Sequence, residues 1–405
     1  MTRLWKKVLV MGTFDTKAGE FKFLIDEIKN RGFAVFTLNC GTTRTAIPFS
    51  VDYEIGLVTN NAERDEAMRM MAGEASRTLL DLFKSVGFDG VIGMGGGCGT
   101  AIITAAMRAL PLGIPKVCVS TLAGSDVSSF VGTSDILMVP SLVDICGLNR
   151  LLRAVLSRAA GAICGMVERE PAVLPDAKPA VFASMFGNTS QCVLRCAKLL
   201  ADQGRETVVF HATGTGGRLM ESLILEGMTE AVLDLTTTEI ADLVCGGIMS
   251  AGEERLSAAG KKGLPQVIAP GCLDMVNFGS RKSVPEKYCA AGRNFYQWNP
   301  NATLMRTNVV ENIRMGQILA AKANAARGPV AFLLPRRGLS ILDAADQPFC
   351  DRQADEALFR AIRENVRENI PIIEMDNNIN DEAFAEKAVT LLTELIRQKK
   401  ETASL

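Results

Sequence analysis

Only one histidine, His211, occurs among the 405 residues, which excludes any mechanism that needs two. No C-x-x-C pair occurs among the 11 cysteines, and Cys192 and Cys196 lack a matching His or Cys set. Small buried thiols in a reducing compartment are expected, not disulfides or a zinc site. Excess charge of one sign is also lacking: 44 basic and 45 acidic residues leave a net charge of −1. A dedicated nucleic-acid binder carries a clustered basic excess, so nucleic acid is not an expected partner. No apolar run approaches the roughly 20 residues that span a bilayer. No hydrophobic signal segment precedes the first expected strand. A cytoplasmic chain with no membrane partner is therefore expected. Tandem repeats and low-complexity tracts are missing too.

What is present suits a globular chain with a sizeable core: 48% hydrophobic and 22% charged residues. The length suggests two or three domains. Short apolar strands alternate with longer amphipathic helices, the pattern of parallel sheets covered by helices. Strands are expected at Lys7–Met11, Ala34–Asn39, Gly90–Gly93 and Lys116–Ser120. Helices are expected at Lys17–Arg31, Glu63–Val86, Ala101–Leu110 and Ser141–Met166. A second alternating run starts at strand Ala180–Met185 and ends at helix Asp381–Lys399. Between the runs, Glu168–Pro179 holds three prolines and five charges and reads as a linker. The expected organisation is an N-terminal Rossmann-like nucleotide-binding domain over 1–170, a linker over 171–179 and a C-terminal Rossmann-like domain over 180–405. The fold class is α/β, with two parallel-sheet subdomains and a ligand cleft between them.

Three loops share one design, in which a strand ends, glycines and hydroxyl residues follow, and a helix begins. Such loops expose backbone N–H groups at a helix N-terminus, a ready anion site. The first is Gly12-Thr13-Phe14-Asp15-Thr16-Lys17, which lacks the Gly-Lys-Ser/Thr ending of a Walker A motif. Its hydroxyls and Lys17 suit phosphate, and Asp15 suits a ribose or magnesium; alternatively Asp15 or Thr16 simply caps the helix. The second, Gly93-Met94-Gly95-Gly96-Gly97-Cys98-Gly99-Thr100, removes side chains where a ligand approaches the backbone, or where a tight turn packs. The third, His211-Ala212-Thr213-Gly214-Thr215-Gly216-Gly217, places the lone histidine at a strand end, where α/β proteins put their chemistry. Two polar segments accompany them. Ser120, Thr121, Gly124, Ser125 and Asp126 follow one strand, with Asp126 as a second candidate magnesium ligand. Thr236-Thr237-Thr238-Glu239 follows another, with Asp242 one turn on. Ordinary helix capping explains Thr238 and Glu239 as well as ligand contact does. Gly271–Gly279 and Ser283–Pro300 show no periodic pattern.

These motifs, together with Leu273-Asp274-Met275-Val276-Asn277-Phe278-Gly279 and Leu304-Met305-Arg306-Thr307, recur in this order in a known family. The sequence resembles the ATP-binding domain typified by the N-terminal, virus-inhibiting domain of the tomato mosaic virus resistance protein. Bacterial and fungal relatives form an uncharacterised protein family. The resemblance covers about residues 5–395. It implies two Rossmann-like subdomains, ATP binding and a homodimer or higher homo-oligomer, but supplies no reaction. Trp298-Asn299-Pro300 and Asn378-Ile379-Asn380-Asp381 stand where relatives carry a histidine at the first position of each motif.

Three functions are compatible with these residues. In the first, an enzyme binds ATP with Mg²⁺ and presents His211, Glu239 and Asp242 to a small anionic metabolite. In the second, ATP stabilises a binding or regulatory protein without turnover. In the third, an ATP-independent lyase or hydrolase uses the anion loops for its own substrate.

Overall fold

The computed structural model describes residues 6–41, 47–55, 64–169 and 179–403. The linker expected at 171–179 lies outside them except for its last residue, as does Glu63. The chain divides into two compact units, Met1–Val173 and Leu174–Leu405.

The first unit runs β1 (Lys7–Gly12), α1 (Phe14–Asn30), β2 (Ala34–Asn39), β3 (Tyr53–Glu54), α2 (Arg64–Ser85), β4 (Gly90–Gly95), α3 (Gly97–Arg108), β5 (Lys116–Ser120), α4 (Ser128–Val131), β6 (Ile136–Pro140) and α5 (Arg150–Glu168). Its six strands pair in parallel in the order β3-β2-β1-β4-β5-β6. A parallel sheet is covered on both faces, so its strands read as apolar runs. On one face Val8, Val10 and Ile92 pack under Phe21 and Leu24 of α1 and Leu156 and Ile163 of α5. On the other, Leu9, Met11 and Val91 pack under Leu79 of α2 and Ile103 and Met107 of α3. The chain moves outward from β1 to β3 and then returns to the opposite side of β1 as β4. The loops after β1 and β4 therefore flank the point where strand order reverses, the usual ligand position in open α/β sheets.

The second unit begins β7 (Ala180–Met185), α6 (Ser190–Asp202), β8 (Glu206–His211), α7 (Thr215–Glu226), β9 (Ala231–Thr236), α8 (Thr238–Cys245), α9 (Ala258–Lys261) and β10 (Gln266–Gly271). It continues with β11 (Met275–Phe278), α10 (Glu286–Ala290), β12 (Phe295–Asn299), β13 (Ala302–Arg306), α11 (Val309–Asn324), β14 (Val330–Pro335), α12 (Arg352–Asn365), β15 (Ile372–Met375) and α13 (Glu382–Ala403). Its parallel sheet has the order β15-β14-β10-β9-β7-β8, and a small antiparallel sheet has the order β11-β13-β12. Helices α6 and α13 cover one face of the parallel sheet through Val193, Leu200, Phe384 and Leu392. Helices α11 and α12 cover the other through Met315, Leu319, Leu358 and Ile362. The α/β class with two parallel-sheet subdomains is thus the architecture of the chain.

Some boundaries differ from the sequence reading. The helix expected from Ser141 starts at Arg150, because Leu142 has φ 63° and Asn149 caps α5 by accepting from the Leu151 and Leu152 N–H groups, both at 3.0 Å. Helix α3 starts inside the glycine run, at Gly97. The aperiodic segments 271–279 and 283–300 supply β11, α10 and the edge strand β12. Among the described residues no helix is long and apolar enough to cross a membrane.

Candidate functional site

The loops after β1 and β4 line one concavity of about 560 Å³ in the first unit. Thr13, Asp15, Thr16 and Lys17 form one wall, and Gly96, Gly97, Cys98 and Gly99 at the start of α3 form another. Cys40, Met68, Met71 and Ile102 add an apolar side. Thr13 stands at the N-cap of α1 without a side-chain cap bond, and its hydroxyl lies 3.3 Å from that of Thr16. The helix kinks at Lys17 (φ −138°), whose ammonium donates to the Ile145 carbonyl at 2.7 Å. That contact uses one of three ammonium donors. The Asp15 carboxyl lies against Gly41, where a Cβ would come within 2.6 Å of it.

The glycines of this site fall into two kinds. A Cβ at Gly12 would stand 2.1 Å from the Phe21 ring, and one at Gly95 2.8 Å from the Gly99 backbone, so packing requires both to be bare. Gly96, Gly97 and Gly99 differ: among the described residues a Cβ there would meet nothing closer than 3.8 Å, 4.0 Å and 3.9 Å respectively. The accompanying hydroxyl segment turns inward. Thr100 and Ser120 are buried and hydrogen bonded to each other at 2.7 Å, tying α3 to β5. Ser125 closes a turn onto the Leu122 carbonyl, and Asp126 accepts from the Ser128 N–H. Thr121, Gly124, Ser125 and Asp126 do not line the concavity.

In the second unit the third loop holds an anion of the chain's own. Glu239 is fully buried, and its Oε1 accepts from the Gly214 N–H at 2.7 Å and the Gly217 N–H at 3.1 Å. Gly217 is bare because a Cβ would lie 2.2 Å from Glu239 Oε2. Gly216 is bare because a Cβ would lie 1.9 Å from the His211 carbonyl oxygen, and Gly214 has φ 82°. Thr215 accepts from Arg218, and Thr213 donates to the His211 carbonyl. The three threonines are internal: Thr236 meets Thr189 at 2.7 Å, Thr237 donates to Ala269 and Thr238 to Met275. Asp242 is buried, accepting from the Met249 and Asn277 N–H groups and the Asn277 amide; burial pushes its carboxyl up to about 7. His211 is exposed and stacks on Phe186, centroids 5.4 Å apart. Among the described residues no group of three or more His, Cys, Asp or Glu could hold a metal ion.

Models of the N-terminal and C-terminal domains of the uncharacterised protein family UPF0261 match residues 6–172 and 178–396. The chain belongs to this family. A UPF0261 protein of Clostridium tetani is 43% identical over 391 residues, covering 94% of this chain and 96% of the relative. The ToMV resistance protein Tm-1(GCR237) of Solanum lycopersicum is 36% identical over 422 residues, covering 96% of this chain and 56% of the tomato protein. Among solved structures, a UDP-N-acetylglucosamine 2-epimerase is 12% identical at a TM-score of 0.27, over 65% of this chain and 79% of that one. That likeness is too distant to bear on ligand or reaction.

Two positioning residues of this UPF0261 chain carry no motif. Asn39, at the end of β2, accepts through Oδ1 from the Phe14 N–H at 3.1 Å and the Gly41 N–H at 2.9 Å, pinning the first loop. Arg255 is fully buried and donates to Glu239 (2.5 Å), Asp234 (2.5 and 2.6 Å) and Glu221 (3.2 Å). It neutralises the carboxylate that holds the third loop. The signal for Asn39 was a polar residue closing an apolar strand next to Cys40-Gly41. Arg255 gave none, since its partners lie 16 to 34 residues away in sequence.

Proposed function

We propose that the chain is an ATP-binding protein whose nucleotide site is the concavity of the first unit. The observation that carries this reading is the set Gly96, Gly97 and Gly99, which line the concavity although packing leaves room for a side chain at each. A ligand that approaches the backbone closely gives a physical reason for such glycines. The triphosphate would rest on the N-terminus of α3, where backbone N–H groups and the helix dipole favour negative charge. Thr13, Thr16 and Lys17 would add donors from the facing wall. The family resemblance points to the same nucleotide. Mg²⁺ typically takes one or two carboxylates plus substrate phosphates, and Asp15 with its neighbouring hydroxyls fits that donor set. The ion would neutralise phosphate charge. Self-association is part of the same reading and is checked by sedimentation with and without ATP.

The test is titration calorimetry with MgATP on the native chain and on Gly97→Asp. An aspartate in the first turn of α3 suits the helix dipole and meets open space, so the fold is retained. Its carboxylate repels the triphosphate, and ATP affinity is expected to drop by about 100-fold or more, roughly 3 kcal/mol. Unchanged affinity in Gly97→Asp, or no binding by the native chain, overturns the proposal. ADP accumulating over hours marks an enzyme. Intact ATP with a raised melting temperature marks a regulated binding protein.

A further inference from the structure

A second cavity, about 250 Å³, lies in the second unit where the chain leaves β7 and β8, and its lining extends onto the small antiparallel sheet. Phe186, Asn188 and His211 line it from the parallel-sheet side, and Asn277, Trp298 and Leu304 from the antiparallel strands. No Lys, Arg, Asp or Glu is among its described lining residues. The nearest anion-binding backbone, Gly214 to Gly217, already holds Glu239. His211 is the one described lining side chain that can carry a positive charge, and no Lys or Arg backs it.

The lining supplies rings and hydrogen-bond acceptors instead. The imidazole of His211 and the ring of Phe186 stack at 28°. Trp298 leaves 51% of its surface exposed on an edge strand. Asn188 and Asn277 are buried, and neither side-chain carbonyl has a hydrogen-bond partner within the protein. The Asn277 amide nitrogen is fixed on Asp242 at 2.7 Å, which leaves its oxygen as the spare acceptor. The Asn188 amide nitrogen sits 3.3 Å from the Met275 sulfur, which leaves its oxygen spare as well. Buried acceptors normally find donors, and flat aromatic faces bind flat rings.

We propose that this cavity binds an uncharged, planar heteroaromatic ring that carries N–H donors, the chemistry of a free nucleobase or a pyridine carboxamide. The ring stacks among Trp298, Phe186 and His211, and its N–H groups donate to the Asn188 and Asn277 carbonyls. Its lining shares no residue with the concavity of the first unit, and the proposal does not rest on ATP binding there.

The sequence offers two reporters: one histidine and two tryptophans, Trp5 and Trp298. In a full-length Trp5→Phe chain all indole emission comes from Trp298. Adenine and nicotinamide are titrated against inorganic phosphate and glucose. The expected result is saturable quenching of Trp298 by at least one heteroaromatic probe, with affinity about ten-fold or more above phosphate and glucose. The His211 imidazole proton resonances should move in step, as a stacked ring requires. Ala302→Phe fills the cavity from β13 and should weaken binding about ten-fold. If that variant does not fold, Trp298→Ala, read by the His211 resonances, carries the same expectation. Adding Gly97→Asp should leave the quenching unchanged. An equal response to phosphate or glucose, no saturable response at millimolar probe, or loss of the response with Gly97→Asp would each overturn the proposal.

Discussion

Glu239 and Arg255 work as a pair, and neither makes sense alone. Removing one partner of a buried ion pair strands the other charge, at a cost of about 3–5 kcal/mol. Arg255→Met leaves Glu239, Asp234 and Glu221 without their shared cation. Urea unfolding at neutral pH should therefore show a loss of about 3–5 kcal/mol. A loss below about 1 kcal/mol would place the pair on the surface scale instead. Asp242 makes a second prediction. Desolvation raises its carboxyl from the ordinary 3.8 to about 7, so between those values it stays protonated when folded and ionises when unfolded. Its contribution to stability therefore falls as pH rises from about 4 to 7. Burial also pushes the Asp274 and Asp343 carboxyls up, in the same direction, so the comparison must be with the native chain. Asp242→Asn removes the titration, and Asn277 can rotate to offer its carbonyl. The variant should gain on the native chain by on the order of 3 kcal/mol between pH 4 and 8. A pH-independent difference would contradict the shift. At this scale the sequence singled out Glu239 and Asp242 as candidate catalytic acids, because they stand at and one turn beyond the carboxyl end of a strand; in the structure both are buried and hydrogen bonded within the chain. The sequence did not reveal that their partners are Arg255 and Asn277, because those contacts cross between elements.

Elements were more legible than side-chain roles. Most parallel strands of both units stand where apolar runs lead into helices, because burial on both faces leaves little alternation to confuse the pattern; the edge strands β3, of two residues, and β6, partly exposed, were not read. In the small antiparallel sheet only the central strand β13, Ala302–Arg306, was legible: β11 has four residues and β12 five, too short for a period to show. The start of α3 matters most. Cys98, exposed in its first turn, lines the concavity of the first unit, whereas Cys289 and Cys350 are exposed elsewhere. MgATP should slow alkylation of Cys98 several-fold and leave Cys289 and Cys350 unaffected, as read by mass spectrometry. Equal slowing at all three, or none at Cys98, would move the nucleotide away from α3.

At the scale of the whole molecule, each unit has its own parallel sheet with a hydrophobic core on both faces. The glycine-rich loops look alike in sequence, yet they do different work. Those after β1 and β4 border open space, and the one after β8 is closed on Glu239. One triphosphate site per chain is therefore expected, in the first unit. Amide hydrogen exchange of the full chain with and without MgATP tests this most directly. Protection should rise at residues 13–17 and 97–100 and stay unchanged at 213–217. Protection at 213–217, or no change at 97–100, would contradict it.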